Sequence, residues 1–235
     1  MPELDVIRHL DVFSPQEFGD RRIDIIGVGA TGSRIALSLA KLGIRNIHIW
    51  DPDVVEPHNV PNQIFGNNHN GQLKVEALKD IILVQTGTEV SVHNERVDGT
   101  QRLGQIVFLL TDTMSSRQEI WKGSLRYRPH VEVIIETRMG SNSGRIYTVN
   151  PSSPVEVSGW EKTLYGDDVA EVSACGATIT VGPTAEMVSG FAVWQFIRWY
   201  QKMQKLKEGK EPTDEFEHEL IFSLQPMMIV GSSFS

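Results

Sequence analysis

A single cysteine, Cys175, among 235 residues excludes an internal disulfide framework and the four-cysteine zinc site that paired C-x-x-C motifs would announce, so no zinc is expected. No apolar run is long enough to span a bilayer, and no membrane segment is expected. No block of Lys and Arg stands out in a chain of formal net charge −8, which argues against a general affinity for nucleic acid. Any acidic ligand must therefore be held by local donors. Met1 to Leu10 contains Glu3, Asp5 and Arg8 and lacks the apolar centre of a secretory signal, so a cytoplasmic protein is expected. Repeats and low-complexity segments are also missing. What remains, 40% hydrophobic and 22% charged, fits one large α/β domain with a sizeable core. Its expected parts are an N-terminal arm (1–20), a nucleotide-binding half (21–138), and a C-terminal half (139–235) holding a hairpin, a crossing loop, a long helix and closing strands.

The most informative stretch is Ile23-Asp24-Ile25-Ile26-Gly27-Val28-Gly29-Ala30-Thr31-Gly32-Ser33. An apolar run enters a G-x-G-x-x-G signature, and Ile35, Leu39 and Leu42 then form one helical stripe that Gly43 is placed to stop. The pattern predicts strand, turn, helix. Gly27 permits the tight turn, Gly29 lets backbone approach a phosphate, and Gly32 lets helix and strand pack closely, while the helix N-terminus offers N–H groups to an anion. The following strand, Ile47-His48-Ile49-Trp50, ends in Asp51, at the distance of the acid that holds a ribose hydroxyl. Together these predict a nucleotide site.

Other segments supply further candidates. Ser14-Pro15-Gln16-Glu17 carries the signals of a short helix start. Residues 51–66 hold three prolines and several amides, which predicts a long ordered loop, a common carrier of function. Helical periodicity resumes over 72–82, with Lys74 near its start, where a cation opposes the helix dipole; a phosphate partner would explain it, as would a free surface position. The strands expected next are 89–93 and 106–110, the second ending at Thr111-Asp112. Asp112 is a candidate metal-side or phosphate-side carboxylate, or the N-cap of a helix over 113–121. Val131 to Thr137 and Arg145 to Val149 read as a β-hairpin. Residues 150–174 hold little periodicity and read as a crossing loop. A long helix from Pro183 to about Gly209, with an aromatic stripe including Phe191 and Trp194 suited to core or subunit contact, precedes one or two closing strands within 218–230.

The succession Gly27-x-Gly29-x-x-Gly32-Ser33, Asp51-x-Asp53-x-Val55, Asn59, Gln63, Lys74, Asp112, Arg117, Cys175 and Gly182-Pro183 before a long helix resembles the ThiF/MoeB family of adenylating enzymes, relatives of ubiquitin-activating enzymes. The resemblance covers roughly residues 20 to 200. It implies a Rossmann-like, mostly parallel sheet with helices on both faces and antiparallel hairpin strands in the C-terminal half. It implies ATP and Mg2+, and adenylation of the C-terminal carboxylate of a ubiquitin-like protein, a sulfur-carrier protein or a peptide, with release of pyrophosphate by a homodimer. Carried onto this chain, Gly27, Gly29 and Gly32 form the phosphate and adenosine turn, Asp51 holds the ribose and Asp53 stands beside it. Asn59 and Gln63 line the triphosphate and acyl site, Lys74 pairs with phosphates, and Asp112 holds magnesium. Asn62 stands where the family usually has an arginine. Arg8 resembles an arginine that a partner subunit reaches across with. Cys175 is either a small buried thiol or a thioester-forming nucleophile. Two other classes share features: an NAD-dependent oxidoreductase, which leaves Lys74, Asp112 and Arg117 together unexplained, and a nucleotide-binding or catalytically impaired scaffold for a protein partner, which Asn62 suits.

Overall fold

Short apolar runs rich in β-branched residues become the strands β1 (Ile23–Ile26), β2 (Ile47–Trp50) and β4 (Ile106–Leu109), and the three-residue β3 (Ser91–His93) lies beyond β2 at the edge. The computed structural model describes residues 4–169, 181–210 and 216–235. With β5 (Val133–Met139), β6 (Ser143–Val149), β7 (Glu219–Leu224) and β8 (Met227–Ser232) they form one eight-stranded sheet in the order β3-β2-β1-β4-β5-β6-β7-β8. Pairing from β3 through β5 is parallel and from β5 through β8 antiparallel, the mixed arrangement expected. Every residue of β1 and β4 is buried, as strands covered on both faces must be.

Helices cover the two faces. α2 (Gly32–Lys41), α3 (Lys74–Thr86) and the 26-residue α6 (Gly182–Lys207) close one core, which also takes Phe13 and Phe18 from the arm and the short helix α1 (Pro15–Phe18). α4 (Met114–Ile120) and α5 (Pro154–Glu161) frame a second core on the other face, where Trp121 and Trp160 meet at a centroid distance of 4.4 Å. Local signals account for several boundaries. Ser14 Oγ accepts from Glu17 N–H at the start of α1, and α2 stops ahead of Gly43, whose φ of +89° suits a residue without Cβ.

Two expectations are corrected. Residues 150–174 are not loop throughout: α5 occupies Pro154–Glu161, with Ser153 Oγ accepting from Glu156 N–H. Only Val157 and Trp160 of this helix are buried, which is too few to print a period in the sequence. The cap of α4 is Thr113, whose Oγ1 accepts from Ser116 N–H, rather than Asp112.

Candidate functional site

The strand order reverses between β1 and β4, and a crevice is expected outside the carboxyl ends of strands at such a point. A cavity of about 810 Å³ opens there. Gly27, Gly29, Asp51, Asp53, Asn59, Asn62, Gln63, Lys74 and Asp112 all line it. Gly32 lies behind the wall: a Cβ on it would stand 1.9 Å from Gly27 O, so its smallness serves the packing of α2 on β1. Arg8 is exposed, in the single turn Ile7–His9, and does not line the cavity. Cys175 lies outside the described residues. A larger cavity of about 920 Å³, between the N-terminal arm and the end of α3, gathers none of these residues.

The turn after β1 is shaped for close approach. Gly27 has φ +91°, and a Cβ there would meet Leu110 O at 2.8 Å. A Cβ on Gly29 would instead enter open space, with Gln63 Nε2 the nearest atom at 3.9 Å. Asp51 is 6% exposed and ties this turn to the long loop: Oδ2 accepts from Val28 N–H at 2.8 Å and Oδ1 from Asp53 N–H at 2.9 Å. Burial pushes its pKa above the ordinary carboxylate value, against the pull of Lys74 and those two N–H donors. Further accepting capacity remains on both oxygens.

Lys74 is buried, 7% exposed, so the free surface position is ruled out. Its Nζ lies 2.7 Å from Asp53 Oδ2, and its backbone N–H donates to Asp53 O at 2.9 Å. Asn59 is buried, its Oδ1 accepting from Glu56 N–H at 2.9 Å. Asp112 is exposed to the cavity. Next to it, Met114 N–H and Ser115 N–H at the start of α4 donate to the Asp167 carboxylate, and the Ser115 side chain first, then these two N–H donors, hold that group below the ordinary value.

Several lining residues escaped the sequence reading. Arg96 Nη2 donates to Ser116 Oγ at 2.7 Å, and Glu95 lies beside it. Arg117 anchors the floor: its Nε is 2.9 Å from Glu136 Oε1 and its Nη2 donates to Thr137 O at 3.0 Å. Glu136, fully buried, also accepts from Arg138 Nε at 2.8 Å and Trp160 Nε1 at 2.9 Å. Apart from Arg117, which the family order contains, none of these had a local signal, since each pairing joins distant segments or faces a neighbour two residues along a strand. Gln63 Oε1 and Thr111 Oγ1 are buried in the cavity wall, and among the described residues neither has a hydrogen-bond partner. Orphaned buried acceptors and donors of this kind are what a polar ligand would satisfy.

Four carboxylates line the cavity, Asp51, Asp53, Glu95 and Asp112, against three cations, Lys74, Arg96 and Arg117. Among the described residues no group of three or more His, Cys, Asp or Glu is arranged to enclose a metal. Magnesium commonly needs only one or two carboxylates when phosphates supply the other oxygens, so Asp112 suits that role and no all-protein cage is required.

Comparison with known proteins places these observations. A family model described as the ThiF family matches residues 11–223. Ubiquitin-like modifier-activating enzyme 5 of Caenorhabditis briggsae is 24% identical over 213 residues, covering 78% of this chain and 47% of that protein. The chain thus spans about half the length of this curated relative. Among solved structures, E. coli MccB with MccA-N7isoAsn superposes with a TM-score of 0.72 at 15% identity, over 94% of this chain and 66% of that one. PaaA superposes with a TM-score of 0.66 at 20% identity, over 98% of this chain and 69% of that one. At these identities the superpositions establish the fold.

Proposed function

The chain belongs to the ThiF family, and from that membership and the chemistry of the cavity we propose that it binds ATP with Mg2+ and adenylates a carboxylate at the C-terminus of a peptide or a small ubiquitin-like or sulfur-carrier protein. The observation that carries this is the convergence at one switch-point crevice of the glycine turn, Asp51, Asn59, Gln63, Lys74 and Asp112. In the proposed reaction a carboxylate oxygen attacks the α-phosphorus, the bond to the bridging oxygen breaks, and pyrophosphate leaves. No proton-transferring triad is required, so the protein's contribution is alignment and charge neutralisation.

Each residue has a role in that scheme. Asp51 accepts from the ribose hydroxyls while its two backbone contacts fix its orientation. The open space at Gly29 takes the phosphate chain, and Gln63 and Thr111, whose buried oxygens lack partners among the described residues, meet the phosphate or acyl end. Lys74 neutralises phosphate charge, exchanging part of its bond to Asp53, which is 62% exposed and readily solvated when released. Magnesium held by Asp112 would supply Lewis-acid neutralisation of the phosphate oxygens, which a wall with more carboxylates than cations calls for. The family names of relatives favour a protein or peptide acyl donor: one is named for activating a ubiquitin-like modifier, and a solved neighbour contains a form of MccA. We further infer a two-fold homodimer, into whose neighbouring pocket Arg8 would reach. The apolar surface available for pairing includes Trp194 on α6, 51% exposed, and β8. Phe191 is instead packed against Phe222.

The deciding experiment is ATP–pyrophosphate exchange in the presence of candidate peptides and of small proteins ending in Gly-Gly. Exchange that depends on one of them supports the proposal. ATP binding without exchange across such a panel favours a catalytically impaired scaffold, the reading that Asn62 in the place of the family arginine supports.

A further inference from the structure

Three consecutive carbonyls of the turn after β1 are held from behind by side chains. Ser33 Oγ donates to Gly29 O at 2.6 Å, Arg34 Nη1 to Ala30 O at 2.8 Å, and Ser189 Oγ to Thr31 O at 3.1 Å. The N–H of a peptide unit points opposite to its carbonyl, so these bonds orient the N–H groups of Ala30, Thr31 and Gly32. Among the described residues those three N–H groups have no acceptor. Successive free N–H groups of this kind form an anion-binding concavity.

Arg34 differs from the two serines because it also leaves the turn. The same Nη1 that holds Ala30 O donates to Asn62 O at 2.6 Å, across 28 residues of chain. Asn62 and Ala30 both line the cavity, one wall being the turn after β1 and the other the long loop. Nη2 lies 3.7 Å from Glu186 Oε1 on α6, and the Arg34 side chain is 15% exposed although it does not line the cavity. One nitrogen with two hydrogens therefore sets the separation between the phosphate turn and the loop that carries Asn59, Asn62 and Gln63.

We propose that Arg34 is a positioning residue that matches the spacing of these two walls to the phosphate chain of the nucleotide, acting on the phosphates and not on the nucleoside. The assignment rests on the nucleotide function proposed above. It explains how a chain with Asn62 in place of an arginine still organises that wall: the guanidinium stands behind the loop and grips its backbone. A purely structural brace would weaken all ligands of the cavity alike. A spacing device weakens only those that touch both walls.

The test is titration calorimetry of the full chain with ATP plus Mg2+ and, separately, with adenosine. Arg34→Gln is expected to raise the Kd for ATP by about tenfold or more, the scale of one charge-assisted hydrogen bond, while the Kd for adenosine changes by no more than about twofold. Glu186→Gln, which removes only the outer ion pair, should leave both unchanged. Equal losses for the two ligands in Arg34→Gln, or no loss for either, would overturn the assignment. If Arg34→Gln does not fold, Arg34→Lys decides, because a lysine keeps the charge without the planar fork. A selective loss for ATP then supports the proposal and a wild-type ratio of the two affinities overturns it. Wild-type protein that binds neither ligand removes the nucleotide function itself, whereas tight ATP binding with indifferent Arg34 variants removes only the spacing role.

Discussion

Gly29 has no neighbour within 3.9 Å of where a Cβ would stand, so the fold has room for a side chain that a bound phosphate chain would not. Gly29→Val is therefore expected to abolish ATP binding in calorimetry while its circular-dichroism melt stays close to wild type. Unchanged affinity would remove the turn from the site. Asp112 is open to the same cavity, and if it places magnesium on the triphosphate, Asp112→Ala should slow pyrophosphate exchange by about a hundredfold or more, with ATP still bound. Full exchange in that variant would end the metal assignment. Titration behaviour follows from a different cluster. His48 Nδ1 and His93 Nε2 are 3.0 Å apart, His93 stacks on Trp50, and burial followed by the nearby Arg22 charge pushes both pKa values below 6.5. The folded state thus prefers neutral rings: their stabilisation is complete above the unfolded pKa of about 6.5 and declines as the pH falls below it. Urea melts between pH 7.5 and 5.5 should show stability dropping on the acid side, with a shallower slope in the His48→Gln, His93→Gln double variant. An equal slope in that variant would move the effect elsewhere. The candidate residues at fixed spacing after an apolar strand were legible in the sequence, because the turn, Asp51 and Lys74 each sit at an element boundary. Arg34 was not, since its importance depends on Asn62 O, 28 residues away.

At the level of elements, the periodic segments announced themselves and the interactions between them did not. α2, α3 and α6 carry apolar stripes or a run of good helix formers, and β1, β2 and β4 are short apolar runs at turn boundaries. α5 failed to show because two buried residues make no pattern, although its Ser153-Pro154 start is a cap signal. The Glu136 network joins β5 to α4 through Arg117 and to α5 through Trp160, and Arg138 extends it to Thr163 O at 2.7 Å. No local pattern encodes such a hub. Its carboxylate is shared by two buried guanidinium groups, so neutralising it leaves two buried cations without their counter-ion. Glu136→Gln is expected to cost about 3 kcal/mol or more in denaturant unfolding, several times the value of an exposed pair. A loss below about 1 kcal/mol would show that water reaches the network.

Across the whole molecule, the sheet joins a parallel half that carries the switch-point cavity to an antiparallel half whose last strand is exposed along its length. Met227, Met228, Ile229 and Val230 of β8 are 83%, 47%, 59% and 46% exposed. Such an apolar edge without charge or proline is a template for another chain. If the proposed homodimer forms through it, sedimentation at micromolar concentration should give about twice 26.3 kDa, and Ile229→Lys should shift the mass toward the single chain. A single-chain mass for the unaltered protein would contradict the dimer. The mixed sheet was legible from the run of strands and the hairpin after β5, whereas the bareness of β8 was not, because exposure is a property of what fails to cover a strand. The two borders of the sheet are also unequal: β3 has three residues, and β8 has six. A body with one adhesive border can satisfy it once. Two copies joined through β8 would turn only their short β3 borders outward, so growth by strand addition would terminate at a pair and would not propagate into a fibre.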